Sequence, residues 1–291
     1  MLAPVRFAFL TCARFPQLYD DDQLAAAELR ARGHWVEPII WNAPGVITHL
    51  DRFDVVVMRN PWDWFDHREA FRSFLTALGT VKARVVNDAR TLVEFADKTY
   101  LPRLAAKGVA VVPTVQLTPE ELKPALAHTL AQRQWTRAVL KPAFTANAIG
   151  AQVFDAAEVA GVLERAAQVP LAGQEKWLVQ PFVPSIAEGE RSFIFFGGVF
   201  SHAVRKQPKP GDWRVQHDYG GTSAPFAPDA GEVKEATQLL ALAAPGTVYA
   251  RVDAVELDGR LHLMELEVVE PELFFRHEPT AAARFAELLL R

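Results

Sequence analysis

The N-terminal part of the chain alternates between apolar runs and helical segments, and this alternation constrains the fold most. The apolar runs are VRFAFL, WVEPII, FDVVVMR and ARVV, and the third is almost continuously apolar, as in a parallel strand covered on both faces. Helical patterns run from Asp21 to Arg32, with Gly33 as a stop, and from about Asp66 to Leu78. Strands that alternate with helices predict a parallel α/β lobe.

The turn after the first apolar run has the sequence TCARFPQL and contains no glycine. Dinucleotide-binding lobes carry glycines at this turn, where the backbone must approach a pyrophosphate closely. The sequence therefore excludes the G-x-G-x-x-G type of NAD site.

A second unit is predicted from about Asn87 onward. The segment TLVEFADKTYLPRLAAKG has helical character, and Pro102 within it predicts a kink or a break between two helices. The remaining elements predicted here are a strand around Val109 to Val112, a helix from Pro119 to about Arg133, the strands AVLKP and QVF, and a helix from about Ala156 to Gln168.

From Trp177 onward the pattern is mostly that of strands. WLVQPFV is a strand, and two hairpins are predicted, one turning at Gly197-Gly198 and one around Asp258-Gly259, before a last helix, AAARFAELLL. We therefore expect a mixed α/β and α+β protein with an N-terminal parallel α/β lobe (1–88), a small middle α+β lobe (89–175) and a C-terminal, mainly antiparallel lobe (176–291).

Composition excludes several classes of function. The formal net charge of -4 gives no support to broad nucleic-acid or membrane binding, and no apolar run approaches the length of a membrane span. Cys12 is the single cysteine, which excludes an internal disulfide and fits a reducing compartment. With no secretion signal recognisable, we expect a cytoplasmic protein that acts on small molecules.

The strand LMELEV carries two carboxylates, Glu265 and Glu267, inside an apolar run. Residues two apart on a strand point to the same face, and a buried carboxylate is costly unless it is paired or binds a metal. The alternative is that this face of an edge strand is simply solvated. Taken alone, the pattern favours the solvated strand.

The register of the last hairpin decides whether Asp253 joins the two glutamates. A two-residue turn at Asp258-Gly259 pairs Leu257 with Arg260 and sets Asp253 opposite Met264, on the other face. A loop with an odd number of residues, or a one-residue bulge, puts all three carboxylates on one face. Such a trio would suit Mg²⁺ or Mn²⁺ that also binds a nucleotide's phosphates.

Three further features favour the nucleotide-binding alternative. Lys98 and Lys141, the latter at the end of a strand before the loop PAFTANAIG, can each place a positive charge on a phosphate, although most lysines simply lie at the surface. The strand WLVQPFV is followed by EGER, and its main chain can bind a base, or it is an ordinary buried strand. The segment 202–222 concentrates basic side chains before a Tyr-Gly-Gly turn, which fits either a solvated surface or a grip on an anionic intermediate.

With these elements in this order, the chain resembles the ATP-grasp superfamily of ATP-dependent ligases over most of its length. The resemblance implies ATP and Mg²⁺ or Mn²⁺ as cofactors. The family pattern falls on the following residues: Lys98 and Lys141 for the phosphates, Gln180, Pro181, Phe182 and Val183 for the adenine, Glu190 (or, less well matched, Glu188) for the ribose, and Asp253, Glu265 and Glu267 for the metal.

Within the superfamily, the chain is most similar to the cyclo-ligases of cycloserine biosynthesis, which close O-ureido-D-serine, and is more distantly similar to glutathione synthetase. The segments that carry this are TCARFPQLYDDD, VVMRNPWDW, KPAFTANAIGA, VRKQPKPGDWRVQHDYGGT and LMELEVVEPELFF. The chain departs from the usual pattern at Glu267, where most members have asparagine, at Gln180, which is often acidic, and in the loop after Lys141, where Gly150 is the single glycine.

The resemblance implies that ATP activates a small amino-acid-like carboxylate as an acyl phosphate, which an amine then displaces. The residues expected to hold the reacting groups are Arg205, Arg214 and Arg251, and those expected to contact substrate are Asn60, Trp62, Asp63, Tyr219, Gly220 and Gly221. An intramolecular cyclo-ligase, a nucleotide-binding protein without catalysis and an ATP-independent protein remain as alternatives. Oligomeric state stays open, with a homodimer among the choices.

Overall fold

The computed structural model describes residues 3–169 and 176–291. The described residues form three sheets that follow one another along the chain. This arrangement of a parallel N-terminal sheet and two antiparallel sheets confirms the predicted fold class. Within the same residues, no helix combines the length and the apolar character needed to cross a membrane.

The N-terminal lobe is a parallel sheet with strand order β2-β1-β3-β4 and helices between its strands. The four predicted strands and both predicted helices are confirmed, and a short helix, α2, was not predicted. The elements are β1 (Arg6–Thr11), α1 (Asp20–Ala31), β2 (Trp35–Ile40), α2 (Val46–Leu50), β3 (Val55–Asn60), α3 (Arg68–Leu78) and β4 (Arg84–Val86).

The middle lobe is a four-stranded antiparallel sheet, order β5-β8-β6-β7, with helices packed on it. Helix α6 has the bounds predicted for it, since Thr118 and Glu121 form a capping box and Pro119 occupies its first turn. The elements are α4 (Ala89–Phe95), α5 (Tyr100–Ala106), β5 (Val115–Leu117), α6 (Pro119–Arg133), β6 (Arg137–Pro142), β7 (Gln152–Asp155), α7 (Val159–Ala167) and β8 (Trp177–Pro181).

Two predictions for the middle lobe need correction. The helical segment does break in two, but between Phe95 and Tyr100, and Pro102 lies inside the first turn of α5. A proline is tolerated there because the first N–H groups of a helix have no intrahelical partner. The strand predicted around Val109 to Val112 is reduced to a single bridge between Val111 and Leu263, and the strand forms later, as β5.

The C-terminal lobe is an antiparallel sheet with strand order β11-β10-β9-β12-β13. Both predicted hairpins and the last helix are confirmed, whereas β11 and α8 were not predicted. The elements are β9 (Glu190–Phe196), β10 (Val199–Gln207), β11 (Thr222–Phe226), α8 (Ala230–Ala243), β12 (Tyr249–Leu257), β13 (Arg260–Glu267) and α9 (Ala281–Leu289).

Strand β8 lies on the other side of the lobe boundary expected from the sequence. It follows position 176 in the chain, yet it pairs with β5 and β6 of the middle sheet. We therefore propose that the middle lobe extends to about Val183. This places the end of β8, where the base is expected to bind, at the junction of the two lobes.

The N-terminal lobe and the segment after β13 are joined by buried polar contacts. The fully buried Arg59 pairs with Asp22 at 2.6 Å and donates to the carbonyl oxygen of Pro271 at 2.9 Å. The Tyr249 hydroxyl lies 3.0 Å from the carbonyl oxygens of both Met58 and Val269. These contacts fix the chain beyond β13 against the ends of the parallel strands.

Candidate active site

A cavity of about 560 Å³ lies where the three lobes meet. The N-terminal lobe contributes Trp62, the middle lobe contributes Lys98 and Lys141, and the C-terminal lobe contributes the acidic face of β12 and β13. Clefts at the junction of lobes are the usual place for small-molecule sites. The volume of the cavity is compatible with a nucleotide and a small second substrate.

A one-residue bulge brings Asp253 opposite Glu265 in the last hairpin. The turn at Asp258-Gly259 has two residues and pairs Leu257 with Arg260. The register then shifts, because Asp253 pairs with Glu265 while the next residue pairs with Leu263, which leaves Met264 as the extra residue. The odd-length loop is therefore wrong and the alternative of a bulge is confirmed. Asp253, Glu265 and Glu267 share one face, and all three line the cavity.

Cations of the protein surround the buried Asp253 carboxylate. Arg251 donates to it through Nε and Nη2, each at 2.9 Å, Lys206 Nζ lies 2.9 Å away, and the Ser192 hydroxyl donates at 2.5 Å. Burial alone would raise the pKa of Asp253, but the Arg251 guanidinium and the Lys206 ammonium outweigh it and hold the pKa below its usual range. Asp253 is thus a carboxylate that stays ionised.

The two glutamates of β13 are paired as well, and each is partly accessible. Arg251 also donates to Glu267, and Lys98 Nζ lies 3.1 Å from Glu265. Burial, with help from the neighbouring acids, raises the pKa of Glu267 to about 8 despite the Arg251 contact. The acidic face of the hairpin is therefore neutralised by side chains of the protein itself.

These pairings bear on the expected metal site. In the described part of the chain, no three acidic, histidine or cysteine side chains form a ready ligand set, and Arg251 contacts both Asp253 and Glu267. The chemistry of the donors still fits Mg²⁺ or Mn²⁺, because three carboxylates lie in one row on adjacent strands. A cation at these carboxylates would compete with Arg251 and Lys98, which contact them in the structure.

Lys141 is a half-buried cation on the wall of the cavity. Across residues 3–169 and 176–291, its ammonium makes no ion pair within 4.0 Å. Burial is the main cause that lowers the pKa of Lys141, to about 8, and the charge of Lys98 adds to it. A lysine that faces a cavity without an ion-pair partner attracts a phosphate group.

The comparisons with known proteins decide the family. Residues 7–87 match the N-terminal domain of D-cycloserine synthetase DcsG, and residues 110–276, more than half of the chain, match the ATP-grasp domain of prokaryotic glutathione synthetase. The chain belongs to the ATP-grasp ligases. The resemblance inferred from the sequence is thereby confirmed.

This ATP-grasp ligase is 32% identical over 256 residues to the cycloserine biosynthesis protein DcsG of Streptomyces lavendulae, with 82% of the chain and 83% of that protein covered. The crystal structure of D-cycloserine synthetase DcsG superposes with a TM-score of 0.87 at 28% identity, over 97% of this chain and 98% of that one. D-alanine–D-alanine ligase from Bacillus anthracis superposes with a TM-score of 0.70, over 98% and 96% of the two chains. At 14% identity, this last likeness shows the fold alone.

The residues expected to bind the base line the cavity of the ATP-grasp ligase at the end of β8. Gln180 is buried, and its amide Nε2 donates to the Thr114 hydroxyl at 2.8 Å. The Arg137 guanidinium lies over the Phe182 ring at 4.5 Å, and Pro181 and Val183 complete this wall. Pro181, Phe182 and Val183 give this wall an apolar surface against which a base can pack.

Glu190, the candidate ribose acid, lies close to the metal-ligand candidates. Its carboxylate pairs with Lys206, which also contacts Asp253, so one lysine joins the two acids. Burial raises the pKa of Glu190 to about 7, although Lys206 opposes the shift. In the sequence, Lys206 is only one of several basic residues of the segment 202–222, yet in the structure it balances the charges of both Glu190 and Asp253. The sequence signal for this is that Arg205 and Lys206 are consecutive residues of a strand, so their side chains point to opposite faces.

Of the three arginines expected to hold reacting groups, two line the cavity and one does not. Arg251 and Arg214 line the cavity, and Arg214 is held by Asp212 at 2.8 Å. Arg205 does not line it: neighbouring residues on a strand face opposite ways, so Lys206 points to the cavity while the Arg205 guanidinium stacks on Phe226 at 4.4 Å. The expectation of a catalytic role for Arg205 is corrected accordingly.

The residues expected to contact substrate in the N-terminal lobe also divide. Trp62 lines the cavity, whereas Asn60 is fully buried and binds Asp22 through its side-chain amide, and Asp63 accepts a hydrogen bond from Trp41 at 2.6 Å. Both of these polar groups hold the turn after β3 in place. Asn60 and Asp63 are therefore corrected from substrate contacts to structural residues.

In the Tyr-Gly-Gly turn, Gly221 alone of the three lines the cavity. A Cβ at Gly221 would lie 2.1 Å from the carbonyl oxygen of Val215, so the close approach of the chain requires glycine here. Tyr219 instead packs beneath the Arg214 guanidinium, 3.8 Å from it, and Gly220 turns the chain with φ +82°. Direct substrate contact by Tyr219 and Gly220 is not supported by this placement.

Several cavity residues were not assigned from the sequence. The N-terminal lobe adds an aromatic wall, and the segment after β13 adds two acids and a basic residue that the sequence left without a role. These residues are Phe15, Tyr19, Trp64, Glu270, Glu272 and Arg276. For Glu270 and Glu272, on either side of Pro271, the sequence leaves open a place at the edge of the substrate site or a position facing water. It assigns no role to the other four, because the segments that carry them are far apart in the sequence.

Proposed function

We propose that this ATP-grasp ligase uses ATP to activate a small amino-acid-like carboxylate as an acyl phosphate, which an amine nitrogen displaces to form a carbon–nitrogen bond. The observation that supports this most is the shared cavity of Lys98 and Lys141 with the carboxylate row of Asp253, Glu265 and Glu267. Lysines that can bind phosphates, opposite carboxylates that can bind a divalent cation, are what transfer of a phosphoryl group requires.

The nucleotide is proposed to lie between the middle and C-terminal lobes. Its adenine would pack against Phe182 and Val183 at the end of β8, and Glu190 would accept hydrogen bonds from the ribose. The phosphates would extend to Lys98 and Lys141, which gives Lys141 the counter-ion that it lacks. Binding of the phosphates thus offsets the cost of keeping a charged lysine partly removed from water.

Asp253, Glu265 and Glu267 are the residues that would hold Mg²⁺ or Mn²⁺. When bound, the divalent cation supplies neutralisation of the phosphate charge. Arg251 and Lys98 are proposed to exchange partners on nucleotide binding, from carboxylates to phosphate oxygens. This exchange keeps every buried charge paired before and after binding, which a low-dielectric cavity demands.

The substrate carboxylate is proposed to attack the γ-phosphate from the side of the N-terminal lobe. Arg251 and Arg214 would hold the acyl phosphate and the tetrahedral species that follows, and Gly221 would border the substrate. Trp62 would close this end of the cavity against water. We propose that the partners are small molecules and that the protein works in the cytoplasm.

Phosphate release from ATP and Mg²⁺ in the presence of a panel of amino acids and their ureido and hydroxamate derivatives tests the proposal. Hydroxylamine added to the same reaction would trap an acyl phosphate as a hydroxamate, which is identified by mass. We expect release of phosphate that depends on one carboxylate compound and formation of its hydroxamate. Phosphate release with no hydroxamate, for every compound that stimulates it, would contradict the acyl-phosphate route.

An intramolecular cyclo-ligase is the second candidate. It is favoured by the 32% identity to the cycloserine biosynthesis protein over 82% of the chain. The chemistry is the same up to the acyl phosphate, after which a nitrogen of the same molecule displaces the phosphate. Product mass separates the two, since cyclisation removes one water from the substrate and consumes no second amine.

A further inference from the structure

Glu270 is a carboxylate inside the cavity that no role proposed above uses. Its Oε1 accepts a hydrogen bond from the Trp64 indole at 2.6 Å, and its backbone carbonyl accepts one from the Trp62 indole at 3.0 Å. Pro271 follows it and restricts the backbone further. Glu270 is thus held in a defined position at the end of the cavity formed by the N-terminal lobe.

The Glu270 carboxylate lacks a cation of the protein. Among the described residues, no lysine, arginine or histidine nitrogen lies within 4.0 Å of it; burial raises its pKa, and Lys98, which is paired with Glu265, opposes the shift from beyond ion-pair distance. The other acids nearby are matched, since Glu272 pairs with Arg276 at 2.5 Å and Glu265 pairs with Lys98. A partly buried carboxylate without a counter-ion is costly, and a bound cation would offset that cost.

The surface beside Glu270 is suited to a small organic cation. Phe15, Tyr19 and Trp62 pack on one another with ring centroids 5.1 to 5.8 Å apart, and all three line the cavity. Faces of aromatic rings attract ammonium groups, and tryptophan does so most strongly. A carboxylate next to an aromatic wall therefore favours an ammonium group over a neutral amide.

We propose that Glu270, with the wall of Phe15, Tyr19 and Trp62, binds the free primary ammonium group of the substrate. The inference rests on the proposed function and names its substrate class: an amino acid or amino-acid derivative with an unblocked amino group. With the ammonium at Glu270, the carboxyl end of the substrate is directed toward Arg251. Arg251 lies on the other side of the segment after β13, where its Nη1 donates to the Glu272 carbonyl at 3.0 Å. Substrates acylated on the amine would lose the ion pair and leave Glu270 uncompensated.

Calorimetry on the full chain, saturated with ADP and Mg²⁺, tests this with D-cycloserine and N-acetyl-D-cycloserine, at a pH below the pKa of the free amine. We expect D-cycloserine to bind at least about tenfold more tightly than its N-acetyl derivative, as for a charge-assisted hydrogen bond. Glu270→Gln keeps the contact with Trp64 and should abolish that preference. Glu278→Gln, which changes an acid paired with Arg284 outside the cavity, should keep it.

Three outcomes would overturn the inference: no binding of D-cycloserine to the ADP-loaded protein, equal affinity for the two compounds, or an undiminished preference in Glu270→Gln. A loss of Mn²⁺ affinity in ADP-loaded Glu270→Gln would also overturn it, because Glu270 would then be a metal ligand. Failure of the wild-type protein to bind ADP would instead contradict the proposed function, so the two failures are distinguished by the nucleotide titration alone.

Discussion

The Tyr100 hydroxyl bonds both backbone groups of Leu266, the residue between Glu265 and Glu267. It accepts from the Leu266 N–H at 2.8 Å and donates to the Leu266 carbonyl at 3.1 Å. β13 is an edge strand, so these two groups point out of the sheet and would otherwise be unpaired. A helix of the middle lobe therefore fixes the strand that carries both candidate metal-binding glutamates.

Tyr100→Phe is expected to weaken divalent-cation binding in the ADP complex. The variant leaves two buried backbone groups without a partner, at a cost of about 1–3 kcal/mol in the free energy of unfolding, and it frees the backbone between the two glutamates. Titration with Mn²⁺ measures the first effect and urea denaturation the second. Tyr249→Phe is the matched control, because it also removes a buried hydroxyl, but that hydroxyl bonds the carbonyl oxygens of Met58, Val86 and Val269 rather than β13; it should lower stability without changing Mn²⁺ affinity. Equal Mn²⁺ affinities in both variants and the wild type would contradict a positioning role.

Lys206→Met and Arg205→Met are expected to differ sharply although the residues are adjacent. Lys206 balances Asp253 and Glu190 within the cavity, so its loss should weaken ADP binding by about tenfold or more. Arg205 stacks on Phe226 outside the cavity, and its loss should change ADP affinity by less than about twofold. Calorimetric titration with ADP and Mg²⁺ compares the two. Similar losses of ADP affinity in both variants would contradict the placement of Lys206 on the cavity face of β10 and of Arg205 on the opposite face.

Nucleotide binding is expected to take up a proton at Lys141 in alkaline buffer. Burial lowers the pKa of Lys141 to about 8 in the free protein, and a bound phosphate should return it toward its ordinary value. Since a lysine with a depressed pKa favours the folded state above its unfolded pKa, that contribution is lost as the pH falls through about 8. Phosphate binding removes this loss by pairing the charged form.

The proton uptake is measured by calorimetry of ADP binding in buffers of different ionisation enthalpy, at about pH 9, between the two pKa values. Lys141→Arg stays charged at that pH and should bind ADP without the uptake. An uptake that persists in Lys141→Arg would assign the proton to another group. No uptake in the wild type would mean that Lys141 is already charged or does not contact the phosphates.

Asp253→Asn is expected to destabilise the fold more than Glu265→Gln. Asp253 is buried and is the acid that Arg251 and Lys206 share, so its neutralisation leaves each of these cations with a single acidic partner, at a cost of about 3 kcal/mol. Glu265 is partly accessible and pairs with Lys98 alone, so the same change should cost about 1 kcal/mol or less. Chemical denaturation measures both. Equal losses of stability would contradict the different environments of the two acids.

The four strands and the two longer helices between Arg6 and Val86 are predictable from their apolar runs and helix-end signals, whereas the five-residue helix α2 is too short to leave a periodic pattern. Helix α8 was missed although Asp229 and Glu232 form a capping box at its start, since the surrounding strands dominated the pattern. The sequence does not decide whether a bulge forms at Met264, because an odd-length turn and a one-residue bulge would both place Asp253 on the same face as the two glutamates. Asn60 and Asp63 hold a turn, whereas Trp62, between them in the sequence, lines the cavity. The residue types do not predict this difference in role, because it depends on contacts with distant segments of the chain.

Mn²⁺ binding to the wild type and to Glu265→Gln, followed by electron paramagnetic resonance with and without ADP, tests the central claim most directly. Because protein cations occupy the carboxylate row, we expect weak binding without nucleotide and tight binding with ADP. Glu265→Gln should weaken the ADP-dependent binding by about tenfold or more while leaving the fold intact. Equal ADP-dependent Mn²⁺ affinity in the two proteins would contradict the account, because the carboxylate row would then not hold the cation.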